Sequence, residues 1–265
     1  MTRFAANLSM LFTEVPLLDR FERAARAGFS CVEIQFPYEA TAQDLRDRLR
    51  ANRLKMVLHN LPAGDWAAGD RGIACDPDRV DEFRAGVPQA ITYAKALGVP
   101  QLNCLAGKAP AGAGEARVRK TFVENLRFAA KALRAEGLNL LIEPINNDDV
   151  PGFWLNRTAL AISVLDEVDA QNAFVQYDVY HAQRHEGDLA HTLSRHIARI
   201  AHIQVADNPG RHEPGTGEIH FGFLFAHLTR IGYTGYIGCE YHPAAGTENG
   251  LAWLEHARRK LRKTG

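Results

Sequence analysis

Three short apolar stretches each run into an acid: NLLIEP carries Glu143, FVQYD ends on Asp178 and YIGCE ends on Glu240. A fourth, AHIQVAD, carries Gln204 two residues after His202. Carboxylates brought together without a cation repel one another and raise each other's pKa. Around a divalent ion, three carboxylates and one amide oxygen form a sphere that suits Mg²⁺ or Mn²⁺. Taken singly, each acid reads equally well as the cap of a following helix. Taken together, the acids favour a metal site. His202 is expected to be structural, bonded to backbone or to a neighbouring acid, because an unpartnered buried imidazole costs a few kcal/mol. KMVLHN ends in His59-Asn60, and His181 stands three residues beyond Asp178 in YDVYH, a position expected in the loop over the site. Arg71, Lys108 and Arg211 fall in later loops and are candidates to grip an anion. The candidate substrate contacts are therefore His59, Arg71, Lys108, His181 and Arg211. Trp66 is a candidate wall of the pocket, and PGTGE (214–218) reads as a turn that could cover it.

Such residues meet only if the chain brings the ends of its apolar runs to one place. Eight runs read as strands: 3–9, 31–36, 55–60, 101–107, 139–144, 174–178, 201–207 and 236–240. Stripes with helical spacing lie between and after them. One is Leu17, Leu18, Phe21, Ala24 and Ala25. The next holds Leu45 and Leu49 behind a Thr41-x-x-Asp44 start. A third, Val80 to Leu97, follows Asp76-Pro77, read as N-cap and first helical position, and Pro88 inside it predicts a kink or two shorter helices. The final stripe, Leu251 and Leu254, leads into a basic tail, RRKLRK. Eight strands alternating with helices is the pattern of an α/β fold of the (β/α)₈ TIM barrel type. An open doubly wound sheet would bring a glycine-rich phosphate turn after its first strand, and none is present. In a barrel, the strands' C-terminal ends build the active site.

The composition narrows the partners. Among 265 residues, 31 are basic and 31 acidic, so a phosphate-neutralising surface is not expected and nucleic acid is disfavoured. The four cysteines form no C-x-x-C pair, which reads as reduced thiols in a cytoplasmic protein. The apolar start MTRFAANLSMLFTEVP soon meets charges and is read as neither a secretory signal nor a membrane span. A homo-oligomer is compatible with the sequence.

At these residues the sequence resembles the hydroxypyruvate isomerase family, within the xylose-isomerase-like superfamily of barrels. The motifs that carry the resemblance are FAANLSMLF, LHNLPAGDWAAGDRGIAC, IEPIN, QYDVYHAQR, HIQVADNPGRHEPGTGEI and GCEYHP. The resemblance implies one barrel domain over 1–265 and a small anionic hydroxy-oxo acid as substrate. It implies Glu143, Asp178, Gln204 and Glu240 as metal ligands, with glutamine standing where histidine is commoner. It also implies Glu143 and Glu240 as the acid/base pair. A 2-oxo-tetronate isomerase is the closest rival. A DNA-repair endonuclease of related fold is the more distant one, and it would require a histidine-rich multi-zinc cluster and a basic groove.

Overall fold

The computed structural model describes residues 3–263, with side chains described as far as Arg258, so the side chains of the basic tail after Arg258 lie outside the described residues. Eight strands, β1 (Arg3–Asn7), β2 (Cys31–Glu33), β3 (Lys55–Asn60), β4 (Gln101–Cys104), β5 (Asn139–Ile142), β6 (Ala173–Asp178), β7 (Ile200–Val205) and β8 (Tyr236–Cys239), pair in parallel and in sequence order. β8 closes back onto β1 through the register Arg3↔Tyr236 to Ala6↔Cys239. This is the (β/α)₈ barrel that the alternation predicts.

Helices α1 (Leu17–Arg26), α2 (Ala42–Ala51), α3 (Val80–Leu97), α4 (Glu115–Ala135), α5 (Thr158–Val168), α6 (Val179–His185), α7 (Leu189–His196), α8 (Phe221–Arg230) and α9 (Ala252–Lys263) surround the strands. Their buried stripes, such as Phe83, Val87, Ala90, Ala94 and Leu97 on α3, pack with the outward faces of the strands into the main core. Inside the barrel the apolar layer is small, formed by Ala5, Cys31, Val57, Leu58 and Leu141. Two residues further along β1, β2 and β5 from Ala5, Cys31 and Leu141 stand Asn7, Glu33 and Glu143, so strand alternation sets a polar layer directly above the apolar one.

Two local expectations are corrected. The chain runs through Pro88 as one helix and not as two shorter ones, because one missing N–H is outweighed by the five buried side chains that fasten α3 to the barrel. Asp76-Pro77 does not open that helix. The Asp76 carboxylate instead accepts the Asp78 N–H at 2.9 Å in a turn, and the helix begins at Val80. Thr41 does cap α2, accepting the Asp44 N–H at 3.1 Å. All four cysteines are buried and free. Among the described residues, no helix is long and apolar enough to cross a membrane.

Candidate active site

A cavity of about 460 Å³ opens at the barrel mouth. Glu143 and Glu240 follow directly after β5 and β8 and reach it from different sides. Asn103 Nδ2 donates to Glu143 Oε2 at 2.9 Å. Glu240 has two donors on Oε1: Gln35 Nε2 at 2.6 Å and an Arg211 guanidinium nitrogen at 3.3 Å. Asp178, fully buried at the end of β6, caps α6 by accepting the Tyr180 N–H at 2.8 Å. Its other oxygen, Oδ2, has no hydrogen-bond partner and lies 3.7 Å from both His181 Nε2 and Arg211.

Burial drives the chemistry of this group. Desolvation pushes the Glu143 carboxyl well above the usual carboxylate range, and the Glu240 and Asp178 charges add to the rise. Glu240 and Asp178 are raised for the same first reason, while Arg211 opposes the rise in both. Among the described residues, Arg211 is thus a cation within reach of these carboxylates. Its guanidinium also lies 5.1 Å from the centre of the Tyr180 ring.

His181 belongs to the first turn of α6, not to a loop. Asp178 forms the cap that turns the chain into a seven-residue helix too short to show an apolar stripe. Asn146 Oδ1 accepts the Asp149 N–H at 2.8 Å, which turns the Asn146 Nδ2 toward His181 Nδ1 at 2.7 Å. His181 Nδ1 therefore accepts, and the neutral ring carries its proton on Nε2, pointing at the carboxylates. Burial holds the ring neutral, pushing its pKa well below the ordinary imidazole range, and the charges of Arg211 and Arg184 act in the same direction.

Gln204 lines the cavity, but both ends of its amide are engaged. Nε2 donates to Glu33 Oε1 at 2.8 Å, and Oε1 accepts from Gln176 Nε2 at 2.6 Å. A carboxylate cannot donate, so Glu33 fixes which end of the amide is nitrogen. His202 donates from Nε2 to the other Glu33 oxygen at 2.8 Å, and Asn7 Nδ2 donates to Oε1 at 3.0 Å. Glu33 is the residue that sequence reasoning missed. A glutamate in the run CVEIQF, on the same strand face as Cys31 and Gln35, was the signal for it.

The remaining candidates divide. Arg71 and Trp66 line the cavity, with the Arg71 guanidinium 4.2 Å from the Trp66 ring centre and Trp66 tilted against Phe36. Lys108 is exposed, bonds to the Gly69 carbonyl at 3.1 Å and is not in the cavity lining. His59 is buried away from the cavity, because β3 turns its neighbours Leu58 and Asn60 inward. Its ring packs edge-on against Tyr38, and burial pushes its pKa down to about 4. The turn 214–218 folds onto Asp207 and does not cover the pocket.

The carboxylates fit a divalent cation. Glu143 and Asp178 present oxygens within 4.8 Å of each other, and the bare Asp178 Oδ2 is a buried acceptor with nothing to accept. His181, in the same group, has its proton on Nε2 and is a donor here, not a ligand.

A closed barrel with buried paired carboxylates at its mouth can run acid–base chemistry on a small substrate. The chain belongs to the xylose isomerase-like TIM barrel family, whose model matches residues 21–257. It is an enzyme of the hydroxypyruvate isomerase type. A hydroxypyruvate isomerase of Escherichia coli (strain K12) is 52% identical over 97% of this chain and 100% of its own. A 2-oxo-tetronate isomerase of Cupriavidus necator is 51% identical over 96% of this chain and 98% of its own. A solved structure from Brucella melitensis, described as an AP endonuclease of family 2, superposes with a TM-score of 0.94 at 42% identity, covering 97% of this chain and 99% of that one.

Proposed function

We propose that this isomerase interconverts hydroxypyruvate and 2-hydroxy-3-oxopropanoate (tartronate semialdehyde) through an enediolate. The observation that carries this reading is the unequal pairing of two buried glutamates across one cavity. Glu240 has Arg211 and Gln35 as donors, so it holds negative charge more readily and serves as the base that takes the C3 proton. Glu143 has a single neutral donor and no cation hydrogen-bonded to it, and burial raises its carboxyl well above the usual range, so it delivers a proton to C2. Between these steps the charge rests on the C2 oxygen, where the His181 Nε2–H and the Arg211 guanidinium can stabilise it. A proton passes from the C3 hydroxyl to the C2 oxygen, and the carbonyl and hydroxyl exchange places. After product leaves, exchange with water deprotonates Glu240 and reprotonates Glu143 for the next turnover. Arg71, stacked on Trp66 at the cavity wall, receives the substrate carboxylate.

Glu143, Asp178 and Glu240 would hold Mg²⁺ or Mn²⁺, with the second lone pair of Gln204 Oε1 as the fourth ligand. Such an ion would polarise the substrate carbonyl and spread the charge of the enediolate. The four-carbon 2-oxo-tetronate is the second reading, favoured by a cavity of about 460 Å³, which has room beyond a three-carbon acid. An endonuclease reading lacks its histidine-rich cluster, since the metal-capable group among the described residues holds one histidine and two carboxylates.

Proton NMR in D₂O tests the proposal. Deuterium should enter C3 of hydroxypyruvate during conversion, and more slowly with chelator present. Exchange into neither hydroxypyruvate nor 2-oxo-tetronate would refute the isomerase reading, and a higher kcat/KM for the four-carbon acid would select the alternative.

The raised carboxyls also predict how stability depends on pH. In the fold they keep protons that the unfolded chain has already shed, so the unfolded state binds fewer protons and rising pH favours unfolding. This loss begins above the ordinary carboxylate value and continues through the raised values in the fold. Buried neutral histidines such as His59 and His181 act in the opposite sense, but only up to the ordinary imidazole range, so the carboxylate trend stands alone above it. The metal-free protein should therefore melt at lower temperature at about pH 8.5 than at about pH 7.5. Added Mn²⁺ should raise Tm more at the higher pH, because the ion takes the place of protons. A Tm gain independent of pH, measured by scanning calorimetry, would count against carboxylate ligation.

A further inference from the structure

The loop after β7 delivers Arg211 to the cavity, and a buried carboxylate outside the proposed chemistry gives that loop its shape. Asp207 is 1% exposed. Its Oδ1 accepts the N–H groups of Asn208 and Ile219, both at 3.0 Å. Its Oδ2 accepts those of Gly215 at 2.8 Å and Gly217 at 2.9 Å. The Asp207 N–H bonds to the His212 carbonyl at 2.8 Å, so residues 207 to 219 are gathered around one anion. Backbone N–H groups converging on a buried charge form a strong and geometrically exacting cradle.

Arg211 lies in the middle of this loop with φ 54°, a left-handed conformation that a side-chain-bearing residue holds only under external constraint. Its carbonyl accepts the His242 N–H at 2.8 Å, which ties the loop to the segment after β8. Gly217 has no room for a side chain, since a Cβ there would stand 2.0 Å from the Asn208 carbonyl oxygen and 2.8 Å from Asp207 Oδ1. The same contacts that seat the loop therefore set where the Arg211 guanidinium can reach.

We propose that Asp207 is a positioning residue for Arg211, holding its guanidinium against Glu240 and Asp178 in the absence of substrate. The proposal rests on the role given to Arg211 above. Without the anion at its centre, the loop has no reason to keep Arg211 in the left-handed region, and the guanidinium would be free to turn to solvent.

The test uses Asp207→Asn and, as a second perturbation of the same cradle, Gly217→Ala. Asparagine offers one acceptor oxygen and turns an NH₂ toward two of the four backbone donors. The Nε–H resonance of Arg211, assigned by its loss in Arg211→Ala, reports the position of the side chain without turnover. In both variants that resonance should shift or broaden, and kcat/KM should fall by roughly a hundredfold, the scale of a displaced contact. In the Arg211→Ala background, Asp207→Asn should change kcat/KM by no more than about threefold, because the two residues act as one. An unmoved Arg211 resonance in a folded variant would overturn the proposal. So would an equal loss from Asp207→Asn with and without Arg211. Arg211→Ala with parental kcat/KM would instead overturn the catalytic role of Arg211, and the resonance alone would then uphold or overturn the hold of Asp207 on the loop.

Discussion

Glu240→Gln is expected to lower kcat by about a thousandfold while leaving the protein folded and at least as stable to heat. The loss falls within the range of a positioned general base, about 10² to 10⁴. The retained stability follows from the carboxylate's surroundings. Burial already disfavours the charged form of Glu240, so a neutral amide of the same size removes a desolvation cost. Glu143→Gln should lose conversion to a similar extent but differ in one readout. With Glu240 intact, the C3 proton is still removed and returned, so deuterium should keep entering C3 of hydroxypyruvate although product no longer forms. Glu240→Gln should lose both. NMR of the two variants in D₂O separates the roles, and identical exchange behaviour in the two would refute the assignment of base and acid. Unchanged turnover in either would remove that residue from the reaction.

The parts of the site that could be read in the sequence are those set by a single strand. An acid at the end of an apolar run needs only period-two alternation and barrel topology to be placed at the mouth. Glu143 and Glu240 line the cavity there, and Asp178 is buried beside Glu143 without lining it. Where reading stopped, the cause was contact between distant strands or competition between neighbouring residues. His59 and Asn60 both end β3, but only one can face inward, and it is Asn60, which accepts from Asn103 Nδ2 at 3.2 Å. His181 lies on a helix of seven residues, below the length at which periodicity is visible. Lys108 had the right charge and the wrong reach. The Asp207 cradle was invisible for a different reason, since its donors are backbone N–H groups that every non-proline residue carries. Glu33 is the clearest case: the partners that explain it lie on β1 and β7, 26 to 171 residues away in sequence.

Glu33→Ala is expected to destabilise the protein by about 3–5 kcal/mol, the scale for removing one partner from a buried charged network. Glu33 is 1% exposed, and three side chains, Asn7, His202 and Gln204, donate to it. Its removal leaves their donors without acceptors inside the barrel and opens a void that the small apolar layer below cannot fill. Glu33→Gln should cost about 1 kcal/mol, because the network has a route to repair. One amide oxygen can still serve Asn7 and Gln204. The new NH₂ can meet His202 Nε2 if the ring moves its proton to Nδ1, and Gln101, whose amide lies 3.3 Å from that nitrogen, can turn its oxygen to receive it. Gly238 supplies an internal control. A Cβ there would stand 2.4 Å from one Glu33 oxygen and 2.5 Å from the other, so Gly238→Ala should destabilise the parent strongly. The same change should cost far less once Glu33 is alanine, because the clash disappears with the carboxylate. Urea unfolding of the four proteins of this cycle gives the coupling directly. Additive losses would mean that Glu33 does not fill the space across from β8, and the account of why β7 can carry a buried histidine and glutamine would fail with it.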